Sequence, residues 1–298
     1  MSSGLLLARK GCQPDVTVKE SLVKLTTFTQ TLASLFVLST LAACTGTGVD
    51  AASSSGISAG AVASLGGNSS DSACAAQYVD GTQPQLTNSK LAAKTRTLCF
   101  AEFAVLHSGV TRTPLWASEH LTYNELLMDI DRKDNFHAEA TLPEDERAEL
   151  ADYVGSGYDR GHLAPAADMP SVEAMSESFS LANMTPQNAT NNRGIWSSME
   201  SKTRDLAKQR GELYVVSGAI FAGTALQRIN NRVLVPTSYF KAVYDANTGE
   251  SGAYWVANDG NRNYKILSIA ELTQTAGIDP FPSISEFSKN NKMSLPTP

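Results

Sequence analysis

The residues of this 298-residue chain that could do chemistry are concentrated in two short segments. The first, Tyr158-Asp159-Arg160-Gly161-His162-Leu163-Ala164-Pro165, sets a histidine beside an acid, an arginine and a glycine, just ahead of a proline turn. Imidazole is the side chain whose ordinary pKa lies nearest neutrality, which suits it to proton transfer. On its own, a histidine in a polar loop is more often structural or solvated. The second segment changes that balance. Asn183-Met184-Thr185-Pro186-Gln187 is followed by Asn191-Asn192-Arg193-Gly194-Ile195-Trp196 and then by Glu200. Read as a helix over 191–210, this places residues 192, 196 and 200 on one slightly drifting stripe. Asn192 and Glu200 are then ~12 Å apart along the axis. An amide and a carboxylate at that separation serve one site only through bridging water. Magnesium tolerates this, because it keeps several waters and takes few protein ligands.

The elements that must position these groups are mixed. Strand-like apolar runs occur at Phe100 to Leu106, Leu115 to Thr122, Tyr214 to Phe221, Val233 to Pro236, Tyr239 to Tyr244 and Ala253 to Ala257. Two helices are predicted: one over 191–210 that stops at Gly211, and one that opens with the capping pattern Ser268-Ile269-Ala270-Glu271 and ends before Gly277. Strands with irregularly interspersed helices argue for an α+β fold rather than a regular βαβ alternation. The chain has no internal repeat and no Gly-rich phosphate loop of the Walker or Rossmann type.

Taken together and in this order, the two segments resemble the DNA/RNA non-specific endonuclease family, the sugar-non-specific nucleases of the ββα-metal group. The resemblance rests on Asp159-Arg160-Gly161-His162, on Asn183 to Gln187, and on Asn192-Arg193-Gly194-Ile195-Trp196 with Glu200, and it extends over about 98–287. It implies a ββα-metal nuclease fold: a central, mainly antiparallel sheet flanked by helices. It implies hydrolysis of DNA and RNA to 5′-phosphate products, with Mg2+ as cofactor and Mn2+ as the candidate substitute. By the same resemblance His162 is the general base, Asn192 the direct metal ligand and Glu200 the residue that orients the metal's water shell. Arg132 matches an upstream arginine that stabilises charge on the phosphate. Arg160 and Arg193 are candidate substrate contacts, and Asp159, Asn183 and Gln187 shape the site. Arg193, Lys202, Arg204, Lys208 and Arg210 offer a basic groove along the helix, although a solvated face is an equal reading for Lys208 and Arg210.

The remaining residues bound these readings. His107, His120 and His137 lack ligand spacing and read as packed or hydrogen-bonded. The cysteines flank no histidine at zinc spacing, and Trp116, Trp196 and Trp255 read as core. The formal charge is −6; the first 44 residues hold four basic and two acidic residues, leaving 20 against 28 and a net −8 for the rest. Bulk charge therefore cannot hold a polyanion, and a local basic groove with a divalent cation is required.

Residues 1–44 read as an export signal. Leu32 to Ala43 is apolar but too short to span a bilayer comfortably, and Leu41-Ala42-Ala43-Cys44 resembles a bacterial lipobox with Cys44 lipidated. A plain secretory signal with a chance cysteine and a buried helix are the alternatives. Residues 45–72 carry six glycines, eight serines and no aromatic or basic residue, so 45–88 is expected to be a flexible tether ahead of a catalytic domain at 89–298. Export implies an oxidising compartment, in which Cys74 and Cys99 can pair. The expected partners are DNA, RNA and, through Cys44, a membrane. A nucleic-acid-binding surface lipoprotein on the same fold, without cleavage, is the competing function.

Overall fold

Strands that read as unbroken apolar runs, rather than alternating ones, must be covered on both faces, and that is how the centre of this protein is built. A computed structural model describes residues 74–298. The expected export signal, with Cys44, and the first part of the expected tether lie outside the described residues.

In chain order the strands are β1 (Gln85–Leu86), β2 (Thr95–Cys99), β3 (Phe103–Ser108), β4 (Thr113–Thr122), β5 (Asp159–His162), β6 (Met184–Gln187), β7 (Glu212–Ile220), β8 (Arg228–Ile229), β9 (Val233–Leu234), β10 (Ser238–Tyr244), β11 (Ser251–Ala257), β12 (Tyr264–Leu267) and β13 (Ile278–Asp279). Seven of them form one sheet in the order β12-β11-β10-β7-β4-β3-β2, and every pairing in it is antiparallel. The helices are α1 (Leu150–Tyr153), α2 (Val172–Ser178), α3 (Ala189–Asn191), α4 (Ser197–Arg210), α5 (Ile269–Ala276) and α6 (Glu286–Asn290).

The sheet separates two apolar layers. On one face Val105, Ala117, Leu121, Val215, Tyr239 and Val243 pack with Trp196, Met199, Leu206 and Ala207 around α4. On the other, Leu106, Trp116, Val216, Phe240 and Ala242 meet Ile269, Leu272 and Ala276 of α5. α5 has the predicted bounds. Ser268 and Glu271 close a reciprocal capping box, and Gly277 ends the helix at φ 69°, a left-handed position that suits glycine.

Two expectations are corrected. The tether does not run to residue 88: from Cys74 onward the chain is part of the fold. Cys74, Tyr78 and Val79 are buried, β1 pairs with β13, and Cys74 is disulfide-bonded to Cys99 with Cα atoms 5.4 Å apart. The reason is composition. Tyr78 and Val79 bring the apolar surface that the Gly/Ser run lacks, and Tyr78 sets its ring edge-on to Trp116 at 6.1 Å. The helix predicted over 191–210 is also not uniform. It comprises α3, a wide π-turn at Asn192–Trp196, and α4.

Candidate active site

β5 and β6 form a two-stranded ribbon outside the main sheet, with Asp159 opposite Gln187 and His162 opposite Met184. The chain then enters α3, the π-turn and α4, so a ββα unit carries both chemistry-bearing segments. Asn188 caps α3, its side chain accepting from the N–H groups of Thr190 and Asn191. The π-turn closes i to i+5 and so adds a residue to one turn. This shifts the helical phase ahead of Glu200, and Asn192, Ser197, Glu200 and Arg204 line one cavity of about 610 Å³ with Arg132, Arg160 and His162.

Residues that never reach the cavity hold the ribbon. Asn183 is fully buried. It accepts from the Ala164 N–H at 3.0 Å and donates to the carbonyls of Ala164 and Ser178 at 2.8 and 2.9 Å. Gln187 lies beneath Gly161, where any Cβ would overlap its side chain, and donates to Asn191 Oδ1 at 2.7 Å.

His162 sits between two aromatic rings, Phe179 at 5.0 Å and Phe136 at 5.9 Å. The residue is half-buried as a whole, while its Nε2 is enclosed and without a hydrogen-bond partner. Burial first, and then the charge of Arg132, push its pKa down to about 3 against the pull of Asp134. The imidazole is therefore neutral near pH 7. Its carbonyl accepts from Trp196 Nε1 at 3.2 Å, which ties the histidine backbone to the π-turn.

Asp159 organises the opposite side. Its carboxylate accepts from Asn192 Nδ2 at 3.0 Å and, in a fork, from Arg193 Nε and Nη2 at 2.8 and 2.7 Å. Burial opposes the charge, but these bonds hold Asp159 below the usual carboxylate range. Arg193 is thus already engaged. With its nitrogen committed, Asn192 keeps Oδ1 as an acceptor. Among the described residues no three His, Cys, Asp or Glu side chains come close enough to hold a metal. A divalent cation here would depend on one amide oxygen and water, a donor set that suits magnesium.

The arginines divide by partner. Arg160 stacks 4.0 Å over the Phe136 ring. Arg132 lies 5.1 Å over Phe179 and pairs with the exposed Asp134 at 2.8 Å. Arg204 is bound to Asp168 at 2.8 Å, and Arg210 to Asp245 and Glu250 at 3.1 and 2.8 Å. The helix therefore gives less of a free basic groove than its sequence suggested, because its last arginine is spent on the fold.

Sequence reading missed the charged layer beneath α4. Glu119 of β4 and Lys241 of β10 are both 1% exposed, and Asp168 is buried beside Arg204. Lys241 Nζ donates to Ser217 Oγ at 2.5 Å and lies 5.1 Å over the Trp196 ring. Both oxygens of Glu119 lack partners. Burial, with Asp168 as the next cause, pushes Glu119 well above the usual range. Glu200 is also raised, to about 7, by burial and Asp168 against Lys241 and Arg204. A lone lysine in the apolar run Tyr239 to Tyr244 was the one available signal for this layer.

The other histidines lie outside the cavity. His107 Nε2 meets the Glu146 carbonyl at 2.8 Å, His120 pairs with Glu212 at 3.0 Å and stacks on Tyr214, and His137 Nδ1 meets the Asn135 carbonyl at 2.7 Å.

A family model described as DNA/RNA non-specific endonuclease matches residues 83–287. Mitochondrial nuclease EXOG of Xenopus laevis is 33% identical over 208 residues, which are 62% of this chain and 58% of that protein. A nuclease of Nostoc sp. is 31% identical over 223 residues, 69% of this chain and 80% of that protein. The chain spans under two thirds of the length of the EXOG relatives it matches. A crystal structure of an EndoG/EndoGI complex superposes with a TM-score of 0.58 at 24% identity, covering 65% of this chain and 86% of that one. That likeness concerns the fold, which is the ββα-metal nuclease fold.

Proposed function

The chain belongs to the DNA/RNA non-specific endonuclease family, and from that premise we propose that it hydrolyses phosphodiester bonds of both DNA and RNA with a divalent metal, Mg2+ foremost, leaving 5′-phosphates. One observation carries the proposal: the ββα unit brings His162, Asn192 and Glu200 to a single cavity that Arg132 and Arg160 also line.

In this reading His162, neutral at working pH, takes the proton of the attacking water. The P–O3′ bond breaks in line, and water in the site protonates the leaving 3′-oxygen. Arg160, whose guanidinium has no ion-pair partner among the described residues and lies over Phe136, meets a non-bridging oxygen, with Arg132 beside it. Asp159 acts by holding the Asn192 amide in one orientation. When bound through Asn192 Oδ1, with Glu200 reaching it through water, the cation supplies charge neutralisation on the phosphate. Contacts confined to phosphate and sugar carry little sequence information, in keeping with non-specific cleavage.

Side-by-side digestion of plasmid DNA and bulk RNA, with Mg2+ or with EDTA, tests the proposal. Both substrates are expected to be cut only with metal. DNA retained but left intact under every divalent metal would favour the nucleic-acid-binding lipoprotein instead.

The same proposal places the enzyme outside the cytoplasm, anchored through Cys44. It is supported by the lipobox sequence and by the Cys74–Cys99 disulfide, a bond that persists in oxidising compartments. Palmitate labelling of the wild type that is absent in Cys44→Ser is the expected result.

A further inference from the structure

The cavity that holds His162 and Asn192 has a second wall that this chemistry does not use. Leu150 and Val154 line it beside Tyr158. Both are exposed, Leu150 at 41% and Val154 at 83%. Apolar side chains kept in water at the mouth of a polar site cost hydration free energy unless function covers them.

The wall is also rigidly held. Asp152, 1% exposed, accepts from the Glu149 N–H at 2.8 Å and from Asn230 Nδ2 at 2.9 Å, with Arg232 Nε 3.6 Å away. Tyr153 is buried among Leu181, Met184, Ile229, Val233 and Val235. The turn that follows passes through Gly155 at φ 67° and Gly157 at φ 79°, left-handed positions that favour glycine. It returns through Tyr158, whose hydroxyl donates to Gln227 Oε1 at 2.7 Å, straight into β5. Buried neighbours thus anchor the short helix and turn that display Leu150 and Val154. Arg160, lying on Phe136, connects this wall to the reactive end, since it and Tyr153 line the same cavity as His162.

Resting on the nuclease reading, we propose that Leu150 and Val154 form a nucleobase subsite, which takes the face of a base adjoining the phosphate gripped by Arg160. The wall is continuous with the phosphate-facing residues in one cavity, so a strand held at Arg160 brings its own base to it. An aliphatic face offers no donor or acceptor, so it accepts every base alike. It also needs that base out of a duplex stack, so the subsite favours single-stranded or locally unstacked substrate.

Val154→Trp places a fluorescent indole in the wall. Titrated in EDTA, an oligothymidylate octamer is expected to quench it and to bind about tenfold more tightly than an abasic octamer of equal charge, the order expected for one base moved from water onto an apolar face. In steady-state cleavage with Mg2+, Leu150→Ser/Val154→Ser is expected to raise KM for the octamer about tenfold while kcat stays within about twofold, with an unchanged circular dichroism spectrum. Equal binding of the octamer, the abasic strand and polyphosphate, or an unchanged KM in the double variant, overturns the subsite. A wild type that cuts nothing overturns the nuclease reading instead, and the metal-free fluorescence then decides the subsite alone.

Discussion

Glu200→Gln should trade activity for stability, and the structure sets the size of the trade. The Glu200 carboxyl is raised from the usual 4.5 to about 7, chiefly by burial and then by Asp168. The unfolded chain therefore releases this proton near pH 4.5, while the folded chain keeps it to about pH 7. The wild type is penalised progressively as pH rises through that window and carries the full penalty above it. The difference corresponds to ~3 kcal/mol at full burial. Because Glu200 is half-buried, solvent screening reduces it to ~2 kcal/mol. Glutamine fills the same volume with no charge to bury. In EDTA at pH 8, Glu200→Gln is expected to melt roughly 4–8 °C above the wild type, and at pH 4 the two should nearly coincide. Cleavage with Mg2+ should fall at least ~10-fold. The assay is thermal unfolding by circular dichroism at both pH values. A variant that melts at or below the wild type at pH 8, or a gap independent of pH, would refute the reasoning.

Asp159→Asn removes the charge and one of the two oxygens that together hold the Asn192 amide and Arg193; divalent-metal affinity measured calorimetrically should weaken by about 10–100-fold with the fold intact. Cys74→Ser/Cys99→Ser opens a cross-link between residues 25 apart in sequence; urea unfolding should show a loss of ~3 kcal/mol, with little change in kcat because the bridge lies outside the cavity.

The candidate site was legible where its parts are close in sequence. The strand-borne Asp159-Arg160-Gly161-His162 and the run from Asn183 to Glu200 sit in one ββα unit, so residue order alone brought them together. The π-turn was not legible. Its residues, Asn192 to Trp196, have no pattern that separates a wide turn from an ordinary one. Glu119, Asp168 and Lys241 could not be read as one layer for a different reason. They come from β4, a turn after β5, and β10, and only sheet order and the packing of α4 gather them. Lys241 lies in a strand that is buried on both faces, where the usual expectation puts a lysine in solvent. The main strands were legible because double burial makes them continuously apolar, whereas the folding of residues 74–88 was masked by the Gly/Ser-rich composition just ahead of them.

The central claim is that a neutral His162 is the base of a metal-assisted, sugar-non-specific phosphodiesterase. Single-turnover cleavage of one oligonucleotide by wild type and His162→Ala, with Mg2+ saturating and the folds matched by circular dichroism, tests it most directly. The account predicts that the variant binds the strand as the wild type does and cleaves it at least about 10²-fold more slowly. Cleavage by His162→Ala at a rate close to that of the wild type would contradict it.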